Sequence, residues 1–242
     1  MIQTTLCFDF GNTRLKCAVF TNGELTDVLV LNDDSSDTVL NLVTEYKPVR
    51  SLLSSVINHN PELEGILQLH TDFHKLSHLS KLPVKTPVGK PETIGADRLG
   101  LVVGAIHQFP DNHCLVIGLG SCITFNFVNK LHEFLGGGIS PGLEMRFRSM
   151  HEFTAKLPLV KADGNFPLIG YDTRTNMLSG VILGMCKEID GIVSEYTAKY
   201  ARLKVFLTGG DMHFFKPHLT SDIIFDPYLM YKGLYAISEE NR

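Results

Sequence analysis

Leu6-Cys7-Phe8-Asp9-Phe10-Gly11-Asn12-Thr13-Arg14-Leu15-Lys16-Cys17-Ala18-Val19-Phe20 (residues 6–20) is an apolar run broken by a single glycine turn. Leu6 to Phe10 reads as a strand, Leu15 to Phe20 as its return, and Gly11-Asn12 as the tight turn of a hairpin. The layout recurs at Leu115-Val116-Ile117, Gly118-Leu119-Gly120-Ser121 and Ile123 to Val128. Two copies of one hairpin predict a duplicated architecture. Apolar strands broken by glycine are common, however, so other motifs have to decide the matter.

Outward from the first hairpin, strands and helices alternate. Val39, Leu40, Leu42 and Val43 fit a helix, Leu52 to Ile57 a buried strand, and Pro61 to Leu69 another helix. Past the proline-rich stretch Pro83 to Pro91, Leu99 to Ile106 reads as an apolar helix. Its Gly100 and Gly104 lie one turn apart, which suits the close approach of another element. After the second hairpin, Leu178, Val181, Ile182, Met185, Ile189, Ile192, Val193, Tyr196 and Tyr200 recur at spacings of three and four, predicting a long amphipathic helix. Val205-Phe206-Leu207 then enters Thr208-Gly209-Gly210, and Leu229 to Ile237 ends the chain as a helix. The class is α/β, divided into residues 1–109 and residues 110–242.

Composition narrows the function. The 22 Lys and Arg residues against 26 Asp and Glu carry a net charge of −4 without long like-charge blocks, so no basic surface is prepared for nucleic acid or an anionic membrane. No uninterrupted apolar segment is long enough to span a bilayer, and the first residues lack a basic leader region. Cys7, Cys17, Cys114, Cys122 and Cys186 are odd in number and form no C-x-x-C pair, as expected of reduced thiols in a cytoplasmic protein with a small ligand.

Neither a P-loop nor a complete G-x-G-x-x-G is present, since Ile123 stands where the third glycine would fall. Three glycine turns follow apolar strands instead, at residues 9–13, 118–121 and 208–210. Such turns offer backbone N–H groups and hydroxyls to phosphate oxygens without an obstructing Cβ, and together they outline a nucleotide site. Asp9, at a strand end, suits a hydrated Mg²⁺ or a turn cap, and Lys16 suits a phosphate or solvent. His70, His74 and His78 recur every four residues, either as a helix face able to hold metal or, by preference, as a solvated face. Cys122 has no histidine in a partnering motif, so a buried thiol is preferred to a nucleophile.

The ordered motifs Asp9-Phe10-Gly11-Asn12-Thr13-Arg14-Leu15-Lys16, Gly95-Ala96-Asp97-Arg98, Gly137-Gly138-Ile139-Ser140-Pro141-Gly142 and Thr208-Gly209-Gly210 resemble those of type III pantothenate kinases. Ser54-Ser55-Val56, Pro91-Glu92-Thr93-Ile94 and Gly170-Tyr171-Asp172-Thr173 extend the similarity over nearly the whole chain. The resemblance implies two ribonuclease-H-like halves of the actin-like ATPase type, with mixed sheets flanked by helices and ATP held between them. It implies ATP-dependent phosphorylation of pantothenate, the first step of coenzyme A biosynthesis, by a cytoplasmic homodimer whose active site lies at the dimer interface. It assigns ATP binding to Asp9, Gly11, Asn12, Thr13, Arg14, Lys16, Gly120, Ser121, Gly209 and Gly210, with Mg²⁺ held through water at Asp9. Asp97 becomes the base. Pantothenate falls to Val88, Gly95, Ala96, Asp97, Arg98 and, across the interface, Thr173.

The chain departs from the family pattern at three positions. Gly118 replaces the Asp that binds a monovalent cation, K⁺ or NH₄⁺, so that side-chain ligand is lost. Asn126 stands for a further acid, and Val88 for a tyrosine bordering the pantothenate pocket. These departures keep two other readings open: a nucleotide-binding paralogue with impaired turnover and a regulatory role, and a kinase of another small alcohol. At a helix N-terminus Asp97 is expected to stay ionised and act as a weak base.

Overall fold

Strands β1 (Thr4–Phe10) and β2 (Leu15–Thr21) pair antiparallel from Thr4↔Thr21 to Phe10↔Leu15. The Gly11 N–H donates to the Arg14 carbonyl at 3.1 Å, so Asn12 and Thr13, rather than Gly11 and Asn12, form the centre of the turn. Strand β3 (Glu24–Leu31) continues the meander on β2, while β4 (Arg50–Ser55) and β5 (Asp72–Lys75) extend the sheet in parallel from β1, giving the order β3-β2-β1-β4-β5. The structure, a computed structural model, describes residues 2–87 and 89–241.

Alternation along β1 sorts its side chains between two layers. Leu6, Phe8 and Phe10 pack with Val39, Leu42 and Val43 of α1 (Ser36–Tyr46) and with Leu63 and Leu67 of α2 (Glu62–His70). Cys7 and Asp9 leave by the opposite face, toward α3 (Ala96–Gln108) and the C-terminal helix Leu229–Glu240. On that face the ring of Tyr235 stacks on Phe20, with centroids 4.5 Å apart.

The second sheet repeats the plan. Strands β6 (His113–Leu119), β7 (Cys122–Val128) and β8 (Phe134–Pro141) are consecutive neighbours, and β9 (Leu203–Thr208) and β10 (Ile224–Phe225) add in parallel on the other side of β6. Both sheets therefore share one strand order, and the duplication expected from the two hairpins is a ribonuclease-H-like fold present twice. Helices α4 (Leu143–Glu152), α5 (Thr173–Lys199) and α6 (Met212–Phe215) belong to this half. Leu178, Ile182, Met185 and Ile189 of α5 share a core with Leu115, Ile117 and Leu119 of β6. A capping box at Asp172 starts α5, with the Thr175 N–H donating to the Asp172 carboxylate at 2.7 Å.

By contacts the chain forms two units, Met1–Pro110 with Leu131–Leu135 and Tyr228–Arg242, and Asp111–Lys130 with Gly136–Pro227. The C-terminal helix, which the division at residue 110 places with the second half, groups with the first unit. Its reason is the glycine spacing of α3: α7 (Leu229–Glu240) lies so close that a Cβ on Gly104 would meet the Leu229 carbonyl, and one on Gly233 the Gly100 carbonyl. Gly104→Ala gains up to about 1 kcal/mol of helix propensity. It also drives a methyl into backbone that cannot rotate away, at a cost of about 1–3 kcal/mol. A lower urea midpoint with an unchanged slope is the expected result.

Candidate active site

In the first unit the site is built where β1 ends and α3 begins. Asp9 is half-buried, one residue before the end of β1, and faces Lys16 across the β1–β2 pair. Burial raises its carboxyl from 3.8 to about 6; the Lys16 charge opposes the shift and the Asp97 charge adds to it. Asp9 and Asp97, far apart in sequence, thus lie within each other's field. Gly11 is half-buried in the adjoining turn, and Asn12, Thr13 and Arg14 are exposed on its tip.

The motif Gly95 to Arg98 supplies the first turn of α3. Gly95 precedes the helix, and its carbonyl accepts from the Arg98 N–H at 3.0 Å. The Asp97 carboxylate accepts from its own N–H and from that of Arg98, and both bonds, with the Arg98 charge, favour the ionised form. Burial nevertheless wins, and the carboxyl sits above its ordinary value. This reverses the expectation that the helix terminus would dominate, and makes Asp97 a stronger base than a solvated carboxylate. The Arg98 guanidinium lies over the ring of Phe134, 5.4 Å from its centroid, which fixes the side chain by a cation–π contact.

Three of the predicted segments converge in the second unit. The turn after β6 is closed by the Gly120 N–H donating to the Cys122 carbonyl at 3.0 Å, leaving Gly120 and Ser121 exposed. The Gly142 N–H, at the end of the Gly137 to Gly142 motif, donates to the Ser121 carbonyl at 3.1 Å. Gly209 adopts φ +103°, beside Leu119, where a side chain would collide with backbone. That residue carries the turn after β9 against the turn after β6, with Gly209 and Gly210 both exposed. The Ser140 hydroxyl and Arg146 guanidinium both bond the Glu188 carboxylate, tying β8 and α4 to α5.

Other positions fall elsewhere. Thr173 is exposed at the first residue of α5. His70 ends α2 and His74 lies in β5, so the histidines share no helix face: the chain leaves the helix at Thr71. Among the described residues no group of three or more His, Cys, Asp and Glu is placed to hold a metal ion, and no helix is long and apolar enough to cross a membrane. Val88 lies outside the described residues. Sequence reasoning assigned no role to Ser54 or Tyr231. Tyr231 of α7 is buried beside Asp9, whose charge helps raise its phenol.

The family model described as Type III pantothenate kinase matches residues 5–195. The chain belongs to that family. Relatives named Type III pantothenate kinase include one from Christiangramia forsetii, 38% identical over 239 residues, and one from Bacteroides fragilis strain YCH46, 39% identical over 237 residues, each match covering 98% of both chains. Among solved structures, a Baf family protein from Campylobacter jejuni aligns with a TM-score of 0.61 at 21% identity over 98% of each chain. A glucokinase from an Antarctic psychrotroph aligns at 0.54 and 10% identity, over 98% of this chain and 99% of that one. These two likenesses concern the fold.

Within a type III pantothenate kinase, the departures now have surroundings. Gly118 stands between Thr124 of β7 and Thr208 of β9 in the sheet, so no carboxylate flanks it on the neighbouring strands. Asn126 is fully buried, and its amide nitrogen donates to the Val116 carbonyl and the Thr124 hydroxyl, each at 3.1 Å. An ionised acid could not make those donations, so the amide is the residue that suits this sheet interior.

Proposed function

We propose that the protein transfers the γ-phosphoryl group of ATP to pantothenate, yielding 4'-phosphopantothenate. The observation that carries the reading is the pair Asp9 and Asp97, two carboxylates in one field at the ends of a glycine hairpin and a helix, in a chain matched along its length by named kinases. Asp97, with its raised carboxyl, orients the primary hydroxyl and takes its proton late in a loose transition state. Arg98, fixed over Phe134, holds the pantothenate carboxylate, and the Gly95–Ala96 backbone lies alongside. The turn Gly11 to Arg14 with Lys16 takes the phosphates, and Gly120, Ser121, Gly209 and Gly210 contact the nucleotide.

A desolvated carboxyl that resists ionisation, with a second carboxylate nearby, fits a hydrated divalent cation, which adds positive charge where both acids lack it. Asp9 would hold Mg²⁺ through water, and the cation would neutralise phosphate charge. The paralogue without turnover is not favoured, since Asp9, Asp97 and Arg98 are all kept.

The protein is further proposed to work as a cytoplasmic homodimer, its five cysteines remaining free thiols. Just before exposed Thr173 in the chain, Leu168, Ile169 and Tyr171 are 78%, 81% and 81% exposed, a run of large apolar side chains suited to a second copy. Sedimentation should give twice the chain mass. The activity test is ADP release by the purified protein with Mg²⁺ATP, dependent on added pantothenate; turnover only with another alcohol would move the assignment to that substrate. Because Gly118 offers no side-chain oxygen, rates in potassium and sodium at equal ionic strength are expected to agree. Gly118→Asp should introduce a preference.

A further inference from the structure

Ser54 is 1% exposed, and its hydroxyl has no hydrogen-bond partner among the described residues. A buried hydroxyl in that state costs free energy that replacement by a methyl would recover, so its presence needs a reason. Its position supplies one. Ser54 is the register partner of Asp9 on the parallel strand beside it, and in-register neighbours leave a sheet by the same face. That face looks toward α3, where Asp97 stands in the first turn, and toward Tyr231 of α7. Asp9 has the complementary need. Burial sets its carboxyl above the ordinary value, and a donated hydrogen bond would favour the ionised form. A donor with no acceptor among the described residues thus adjoins a half-buried acid on the same face of the sheet.

We infer that Ser54 is a positioning residue for Asp9: on nucleotide binding its hydroxyl turns to donate to the Asp9 carboxylate and holds it in the orientation that the hydrated cation requires. The inference rests on the kinase reading only for the identity of the nucleotide. The neighbouring Ser55 cannot substitute. It faces the other layer, where its hydroxyl meets His59 Nδ1 at 2.8 Å and the Ile57 carbonyl at 3.1 Å.

The experiment compares wild type, Ser54→Ala, Asp9→Asn and the double variant by calorimetric titration with MgADP and with ADP in EDTA, alongside thermal melts. Ser54→Ala should melt at or above the wild-type temperature and bind MgADP about tenfold more weakly, the loss of one hydrogen bond to a charged group. Its affinity for ADP in EDTA should be unchanged. In the Asp9→Asn background, Ser54→Ala should weaken MgADP binding no further, because the two act through one contact. A lower melting temperature with unaltered MgADP affinity would make Ser54 a packing residue and overturn the inference, as would additive losses in the double variant. If wild type binds MgADP but releases no ADP with pantothenate, the kinase assignment fails while this binding comparison still decides the role of Ser54.

Discussion

Asp97→Asn should leave the protein folded and able to bind MgADP while lowering kcat for pantothenate phosphorylation by about 10²–10⁴-fold, the range for removal of a general base. Asparagine keeps the shape of the side chain, and its amide oxygen can still accept the N–H groups of the first turn of α3. What disappears is the proton acceptor. The loose transition state of phosphoryl transfer asks little of a base, which places the effect toward the smaller end of that range. The pH dependence makes the attribution specific. Burial sets the Asp97 carboxyl above its ordinary value, so the acid limb of kcat/KM for pantothenate should lie higher than a solvated carboxylate would place it, and the variant should lose that component. Asp97→Asn also removes a negative charge from the surroundings of Asp9, letting Asp9 ionise at lower pH, so an acid limb that moves down rather than vanishing belongs to Asp9. A variant retaining wild-type kcat would exclude Asp97 as the base.

The residues that sequence reasoning found are those with a local signature. A glycine after an apolar strand marks a turn wherever it occurs, and the two hairpins suggested the duplication, which the further motifs and then the shared strand order decided. The glycines of α3 likewise announced a close neighbour. They could not say which one, because α7 is brought to them from more than a hundred residues away by the fold. Strands β3, β5 and β10 left no comparable pattern: β3 is an edge strand with several exposed positions, β5 spans Asp72–Lys75 and β10 two residues. His74 shows the cost, since a four-residue spacing suited a helix face although β5 had already begun. Ser54 and the raised carboxyl of Asp97 were illegible for a different reason. Both are consequences of desolvation, which depends on what several distant segments place around a side chain rather than on its neighbours in sequence.

Asp9→Asn should stabilise the protein above neutral pH while disabling it. In the fold the Asp9 carboxyl titrates near 6 rather than 3.8, so folding opposes its charge. Below pH 4 the residue is protonated whether the chain is folded or not, and it contributes no difference. Between about 4 and 6 the unfolded chain has released the proton that the folded one retains, so stability falls as pH rises. Above 6 the penalty is complete, about 3 kcal/mol for a shift of about two pH units. Asparagine carries no charge to desolvate, so the difference in unfolding free energy between variant and wild type should grow across that window and then level off. Chemical denaturation at pH 4 and pH 8 measures it directly. Catalysis should respond in the opposite sense: without the carboxylate that holds the hydrated cation, several kcal/mol of charge stabilisation are lost and turnover falls at least about 10²-fold. A variant no more stable at pH 8 than at pH 4, relative to wild type, would mean that the carboxyl is solvated and that no desolvated acid awaits the cation. If both effects appear together, the electrostatic cost at the end of β1 is one that the charge of bound Mg²⁺ relieves, which is how a residue that weakens the fold comes to serve the reaction.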